Sequence, residues 1–130
     1  MFRNKKNSKK QGDVGLGIAI SYFTIKGYTV CIPLTDSQDY DLIVEFNECL
    51  NRIQVKTTFY KTKYGSYQVG LKVCGGNRTY NTVKKFDKLS CDYLFIVTEE
   101  DNRYLIPTSV FNSLRSNINL CKKYDEFKVL

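Results

Sequence analysis

Asp41, Gln54 and Lys56 are the residues whose types and spacing could do chemistry. Residues 39–58 read as two strands joined by a tight turn. Residues 40–44 and 52–57 are rich in β-branched and apolar side chains, and residues 47–51 are polar turn formers apart from Cys49 and Leu50. Side chains alternate along a strand, so Gln54 and Lys56 share one face and Ile53, Val55 and Thr57 the other, while Asp41 goes with Ile43. If the hairpin pairs as its turn suggests, Asp41 lies beside Gln54 and Lys56. A carboxylate, an amide oxygen and an ammonium then meet at one rim of a sheet. That suits an oxygen-ligated cation such as magnesium with a lysine beside it. The plainer reading is a polar sheet face carrying an Asp–Lys pair.

The elements around this hairpin must position it. A helix is expected from Gly12-Asp13 to about Lys26, with Asp13 as N-cap and Gly27 as its stop. Val14, Ile18, Tyr22 and Ile25 form one apolar stripe and Leu16, Ile20 and Phe23 another, so the helix should be covered on more than one side. Residues 28–34 read as a strand ended by Pro33, and the polar loop after it leads into Asp41. Asp36 and Asp39 in that loop are close in sequence to the proposed cation, although such acids are more often turn residues. After Lys56, residues 57–67 interleave lysines with aromatics. Lys61, Lys63 and Tyr64 there suit phosphate contacts and stacking on bases; an ordinary Tyr-rich hairpin is the alternative. Residues 67–74 alternate as a strand, 75–77 form a turn, 78–88 are basic and polar and include Arg78, and 84–89 are a helical turn or a loop. Residues 91–98 are the most hydrophobic strand and should be central. A turn at 99–102 joins them to a partner strand at 103–107. Thr108 should cap a helix over 109–116 with Val110, Phe111 and Leu114 inward. The sum is an α/β (α+β) fold: a single-domain mixed β-sheet flanked by helices.

Asp41, twelve residues, then Gln54-Val55-Lys56 resembles the PD-(D/E)XK nuclease motif, in which an acid ends one strand and an acid-x-Lys follows on the next. The wider pattern is similar to the PD-(D/E)XK endonucleases associated with group I introns, of homing type. It runs through Lys10-Gln11-Gly12-Asp13-Val14-Gly15, Tyr22-Phe23, Gly27-Tyr28, Val30, Pro33-Leu34, Asp36-Ser37, Tyr40-Asp41-Leu42 and Gln54-Val55-Lys56. The likeness covers about residues 9–60 well and the rest loosely. It implies a restriction-endonuclease-like core over 12–130 behind a basic flexible arm at 1–11. It also implies Asp41 as main metal ligand, with the Gln54 side-chain oxygen and the Val55 backbone carbonyl beside it, and Lys56 orienting water or holding the pentavalent anion. The implied cofactor is Mg2+, with Mn2+ as substitute. Two positions depart from the family pattern. Gln54 stands where most members have an acid, and Leu16 stands where many carry a helix glutamate. Asp13, one turn earlier, is the acid that could substitute.

Composition bounds these expectations. One core fits 130 residues, and 42% hydrophobic residues with 10 Tyr and 8 Phe argue for folding. No stretch of about 18 apolar residues offers a membrane span, and no signal-type apolar region follows the basic start, so a cytoplasmic location is expected, in a host cell if the chain is phage-encoded. With 20 Lys and Arg against 13 Asp and Glu, the net charge of +7 favours a polyanion such as double-stranded DNA. Lys5, Lys6, Lys9 and Lys10 sit in an acid-free N-terminal segment that could follow phosphates. Five cysteines without a CxxC argue against a zinc site or a disulfide framework. The absence of histidine excludes Ser-His-Asp, Cys-His and histidine-base catalysis. The expected protein is a magnesium-dependent DNA endonuclease acting as a homodimer or homotetramer. A catalytically weak or inactive nuclease-fold DNA-binding or regulatory protein, of phage or anti-defence kind, is the alternative from another class, and a Holliday-junction resolvase-like nuclease the alternative within the enzymes.

Overall fold

Asn7 starts the first helix. Its side chain accepts a hydrogen bond from the Lys10 N–H (3.2 Å), and α1 runs over Ser8–Ile25. The helix therefore begins a turn before the expected Gly12-Asp13, and Asp13 is an exposed residue within it rather than the cap. Its C-terminus ends as the sequence predicts: Gly27 takes φ +83, and the Tyr28 N–H returns to the Phe23 carbonyl.

The computed structural model describes residues 7–71, 73–74, 83–84, 87, 90–111 and 116–130. Its strands are β1 (Thr29–Cys31), β2 (Leu42–Phe46), β3 (Cys49–Thr58), β4 (Gln68–Gly70), β5 (Val73–Cys74), β6 (Val83–Lys84), β7 (Tyr93–Thr98), β8 (Arg103–Pro107), β9 (Asn117–Asn119) and β10 (Lys128–Val129). Six of them form one sheet in the order β1-β2-β3-β7-β8-β10, antiparallel except for the central β3–β7 pair. β4 pairs with β9, and β5 with β6.

The chain turns from β2 into β3 through Asn47 and Glu48 alone, since Phe46 already pairs with Cys49. Both turn residues have positive φ, as a two-residue hairpin turn that matches strand twist demands. The turn is thus tighter than the expected 47–51.

The sheet separates two cores. On one face Ala19, Tyr22 and Phe23 of α1 pack on Leu42, Val44, Phe46, Ile53, Phe95 and Val97. On the other, Leu94, Ile96, Tyr104 and Ile106 are covered by Tyr67, Val69, Leu71, Phe111, Ile118, Leu120 and Tyr124. β7 is therefore buried on both sides, which explains its unbroken apolar run and its central place. The cover of this second face differs from the expected late helix. Thr108–Val110 is a single 3-10 turn, after which Phe111 is already extended. Thr108 caps nothing; its hydroxyl donates to the Cys91 carbonyl instead. Val110 is exposed, and residues 112–115, Leu114 among them, lie outside the described residues. A further 3-10 helix, Lys122–Phe127, leads into β10. On α1, one stripe is buried (Gly15, Ala19, Tyr22 and Phe23), and Ile25 of the expected stripe is 82% exposed.

Gly15 sets how closely α1 approaches β3. A Cβ there would stand 2.3 Å from Thr57 Cγ2 and 3.7 Å from Val55 Cγ1. Thr57 is β-branched and cannot swing its methyl away freely, so an added methyl must lift the helix. Gly15→Ala should lower stability by about 1–3 kcal/mol, and adding Thr57→Ser, which deletes the opposing methyl, should recover part of it. Urea unfolding of the single and double variants checks both.

Candidate active site

β3 outruns β2. β2 begins at Leu42, opposite Ile53, whereas β3 continues to Thr58. At the point where the two part, Asp41 donates its backbone N–H to the Ile53 carbonyl (2.8 Å), and its Oδ2 accepts the Val55 N–H (2.7 Å). The carboxylate takes the place of the carbonyl that a longer β2 would have supplied. A strand residue sends its N–H and C=O to the same edge. The Val55 carbonyl is therefore directed toward that same edge, past the start of β2.

Asp41 precedes Leu42, which pairs with Ile53, and its own hydrogen bonds go to Ile53 and Val55, the two neighbours of Gln54 on β3. Gln54 and Lys56 pair with Leu94 and Ile96 and share their face, opposite α1. Burial pushes the Asp41 carboxyl above the usual aspartate range, outweighing the Val55 N–H and the Lys56 charge that pull it down. Asp41 as a residue is nonetheless exposed. Gln54 is 7% exposed, and its Oε1 is buried with no hydrogen-bond partner among the described residues. A buried acceptor left unsatisfied costs about 1–3 kcal/mol.

A second acid clamps β3 just before Gln54. Asp92, at the start of β7, accepts the Arg52 backbone N–H (2.7 Å) and grips the guanidinium through Nε (3.3 Å) and an Nη (3.2 Å). Its own N–H donates to the Arg52 carbonyl (2.8 Å), and its carbonyl accepts the Thr108 N–H (3.0 Å). Burial alone would raise the Asp92 pKa, but the Arg52 hydrogen bonds and charge hold it below the usual aspartate range. Nothing local in the sequence marks this pair. Strand alternation could have placed Arg52 on the Gln54 face, but only the parallel β3–β7 pairing brings Asp92 to it.

The other sequence candidates are dispersed. Asp13 is exposed on α1, which packs on the Val55 and Thr57 face, and among the described residues no three Cys, Asp or Glu gather. Leu16 packs half-buried in the helix-side core, so no acid stands at the position of the family's helix glutamate. Lys9 and Lys10 are exposed in the first turn of α1. Lys61 is ion-paired to Glu100 (2.6 Å) and lies over the Tyr67 ring. Lys63 covers the ring of Tyr64, which is 83% exposed. Lys5, Lys6 and Arg78 lie outside the described residues.

Residues 6–128 match the PD-(D/E)XK endonuclease family. The chain belongs to that family. Among solved structures it is similar to a bacterial homing endonuclease, I-Ssp6803I, with a TM-score of 0.74 and 29% identity over 89% of this chain and 79% of that one. MepB is a more distant likeness, with a TM-score of 0.45 and 17% identity over 85% of each chain. No curated protein matches. The expected restriction-endonuclease-like core with a mixed sheet is therefore borne out, with one α-helix against the sheet among the described residues in place of the expected flanking helices.

Members of the PD-(D/E)XK family generally depend on a divalent metal, and the donors here fit a hard cation. A carboxylate stands at the open end of β2, a backbone carbonyl faces the same edge, and a buried amide oxygen accepts nothing from the described residues.

The Asp92–Arg52 clamp has a pH signature. An aspartate held below its unfolded pKa contributes stability above that unfolded value and loses it as pH falls through the folded one. Both side chains are 39% exposed, so the contribution is modest. Asp92→Asn should cost about 1 kcal/mol at pH 7, and the gap from the unaltered chain should close as the pH falls below about 4. Urea unfolding across that range measures it.

Proposed function

We propose that this PD-(D/E)XK protein is a divalent-metal-dependent endonuclease that hydrolyses phosphodiester bonds in duplex DNA, of the homing or mobile-element type. The observation that carries the reading is the buried Oε1 of Gln54, without a partner among the described residues and flanked on β3 by Ile53 and Val55, which both hydrogen-bond Asp41. A fold with no use for that oxygen would be more stable with an apolar side chain there. The net charge of +7 supports a polyanionic substrate. The likeness to a homing endonuclease supports the type.

Asp41, Gln54 and the Val55 carbonyl would hold magnesium, or manganese in its place. When bound, the ion polarises the phosphate and supplies a water of lowered pKa. Lys56, on the same face as Gln54, orients the attacking water or neutralises the charge that develops on the phosphoryl oxygens. Asp92 and Arg52 act at one remove by fixing β3 before Gln54. The exposed Tyr60 and Tyr64, with Lys63, lie on the segment that follows β3 and offer stacking surfaces and a phosphate contact. Lys9 and Lys10 extend the basic surface from α1. Cutting both strands requires two such sites, hence a homodimer or homotetramer.

A second reading rests on Leu16 and on the lack of any acidic cluster among the described residues: a nuclease fold kept for binding DNA without cutting it. Two variants separate the readings. Lys56→Ala should lower cleavage of a target duplex in magnesium by at least about a hundredfold with unchanged thermal stability. Gln54→Leu should abolish cleavage while raising stability by about 1 kcal/mol, because it removes the unsatisfied acceptor. If screening a comprehensive duplex library in magnesium and manganese yields no cutting by the unaltered protein, the binding-only reading replaces the first.

A further inference from the structure

Lys61 is held from two sides. Its ammonium stands 2.6 Å from Glu100 Oε1 and 4.9 Å from the centre of the Tyr67 ring, which is almost wholly buried. The Tyr67 hydroxyl gives the same Glu100 carboxylate a hydrogen bond. Two donors thus converge on one anion. The backbone fixes the elements that carry them. Lys61 forms a β-bridge with Tyr67, the Thr62 N–H donates to the Ser66 carbonyl (2.8 Å), and the Glu99 N–H donates to the Thr58 carbonyl (2.9 Å). This cluster borders a concavity of about 270 Å³ whose walls include Tyr67, Tyr104 and Leu120 of the core away from α1. Its charged walls are three lysines, Lys61, Lys122 and Lys128, and two acids, Glu100 and Asp125. Lys128 repeats the arrangement of Lys61, standing 5.8 Å from the centre of the buried Tyr104 ring and 3.7 Å from Asp125.

A lysine held over the face of a buried ring keeps its place when its acid leaves, because the ring still attracts it. Glu100 is free to leave. Its side chain is 57% exposed on the turn between β7 and β8, and an exposed ion pair is weak. With Glu100 turned away, the concavity presents three positive charges against one negative. We propose, building on the endonuclease reading, that this concavity is a phosphate pocket in which Glu100 occupies the place that a DNA backbone phosphate takes when duplex docks. Lys61 follows Lys56 by five residues, at most about 18 Å of extended chain. A DNA strand carries a phosphate about every 3.4 Å along the axis, so a duplex seated at Lys56 extends far enough to offer one to Lys61. Glu100 also decides which anion enters. Being tethered, it acts at an effective concentration of about millimolar, and a free phosphate has to compete with it. A phosphate of a docked duplex is tethered as well, and its contact adds counterion release.

The test is the affinity for a short, mixed-sequence fluorescent duplex, read by anisotropy in Ca2+ over a series of salt concentrations. It compares the unaltered protein, Glu100→Gln, Lys61→Met and the double variant. Lys61→Met keeps an unbranched stem over Tyr67 and removes the charge. Glu100→Gln should bind duplex about threefold more tightly, and the gain should be largely lost when Lys61→Met is also present. Lys61→Met alone should weaken binding and reduce the slope of log affinity against log salt by about one. Inorganic phosphate at about millimolar concentration, with ionic strength held constant, should leave duplex binding by the unaltered protein unchanged. A Glu100→Gln gain that persists undiminished beside Lys61→Met is an effect of net charge alone and refutes the pocket. An unaltered salt slope in Lys61→Met refutes it too, and competition by inorganic phosphate makes the concavity a free-anion site instead. In each of these cases duplex is still bound and the endonuclease reading stands. If duplex is not bound under any condition, the DNA reading itself fails and the pocket with it.

Discussion

One hydrogen bond, from the Val55 N–H to the Asp41 carboxylate, decides what the end of the β2–β3 ladder can be. A strand that runs on past its neighbour leaves N–H and C=O groups facing an edge, and such groups must find partners or water. Asp41 answers for the N–H. It thereby fixes its own carboxylate against β3, bonded to the residues on either side of Gln54 and on the edge that the Val55 carbonyl faces. The overhang of β3, residues 55–58, is what makes room for a site at all: had β2 begun a few residues earlier, its backbone would have filled the edge with ladder hydrogen bonds. The rest of the fold braces this overhang. α1 comes close through Gly15, β7 pairs with β3 out to Thr58, and Asp92 ties the near end of β7 to Arg52.

How much of this could be read from the sequence depends on how local each cause is. The period of two along residues 52–57 sorted the side chains of β3 onto their faces, because alternation is a property of any strand. The Gly27 stop was legible because positive φ narrows the choice of residue. The unbroken apolar run of β7 likewise announced burial on both sides. The start of α1 was less so. Asn7 and Asp13 are both competent caps, and the polar stretch between them contains nothing that forbids helix, so propensity alone could not choose the earlier one.

Features that depend on partners distant in sequence were not legible. Arg52 and Asp92 meet because β3 and β7 run parallel, forty residues apart in the chain. Thr108 looked like a cap, with Ser109 and apolar residues behind it, yet its hydroxyl serves the Cys91 carbonyl and helps hold β8 beside β7. A side chain competent to start a helix is used by the tertiary structure to close a sheet. Lys61 shows the same limit in charge. Its interleaving with aromatics suggested phosphate, but the turn between β7 and β8 supplies Glu100, which holds it. Lys63 and Tyr64, at the exposed end of the same segment, keep the character that the pattern implied.

Gln54 and Asp41 share the same physical situation from two sides. Each is a polar group withdrawn from water, Asp41 in part and Gln54 almost wholly, and Gln54 pairs with Leu94 of the apolar layer on its face. For Asp41 the withdrawal raises the free energy of the charged form. For Gln54 it leaves an acceptor unsatisfied. Both effects destabilise the protein as it stands, and a cation held by both groups, as proposed, would relieve both. Stability lost in this way is recovered as binding energy, and only by a ligand of the right sign and size. A neutral amide in place of an acid limits the loss, since a second buried carboxylate with no cation beside it would be far more costly than an unpaired amide. In the proposed site, the neutral amide that would weaken metal binding would therefore also limit the cost of folding without the metal.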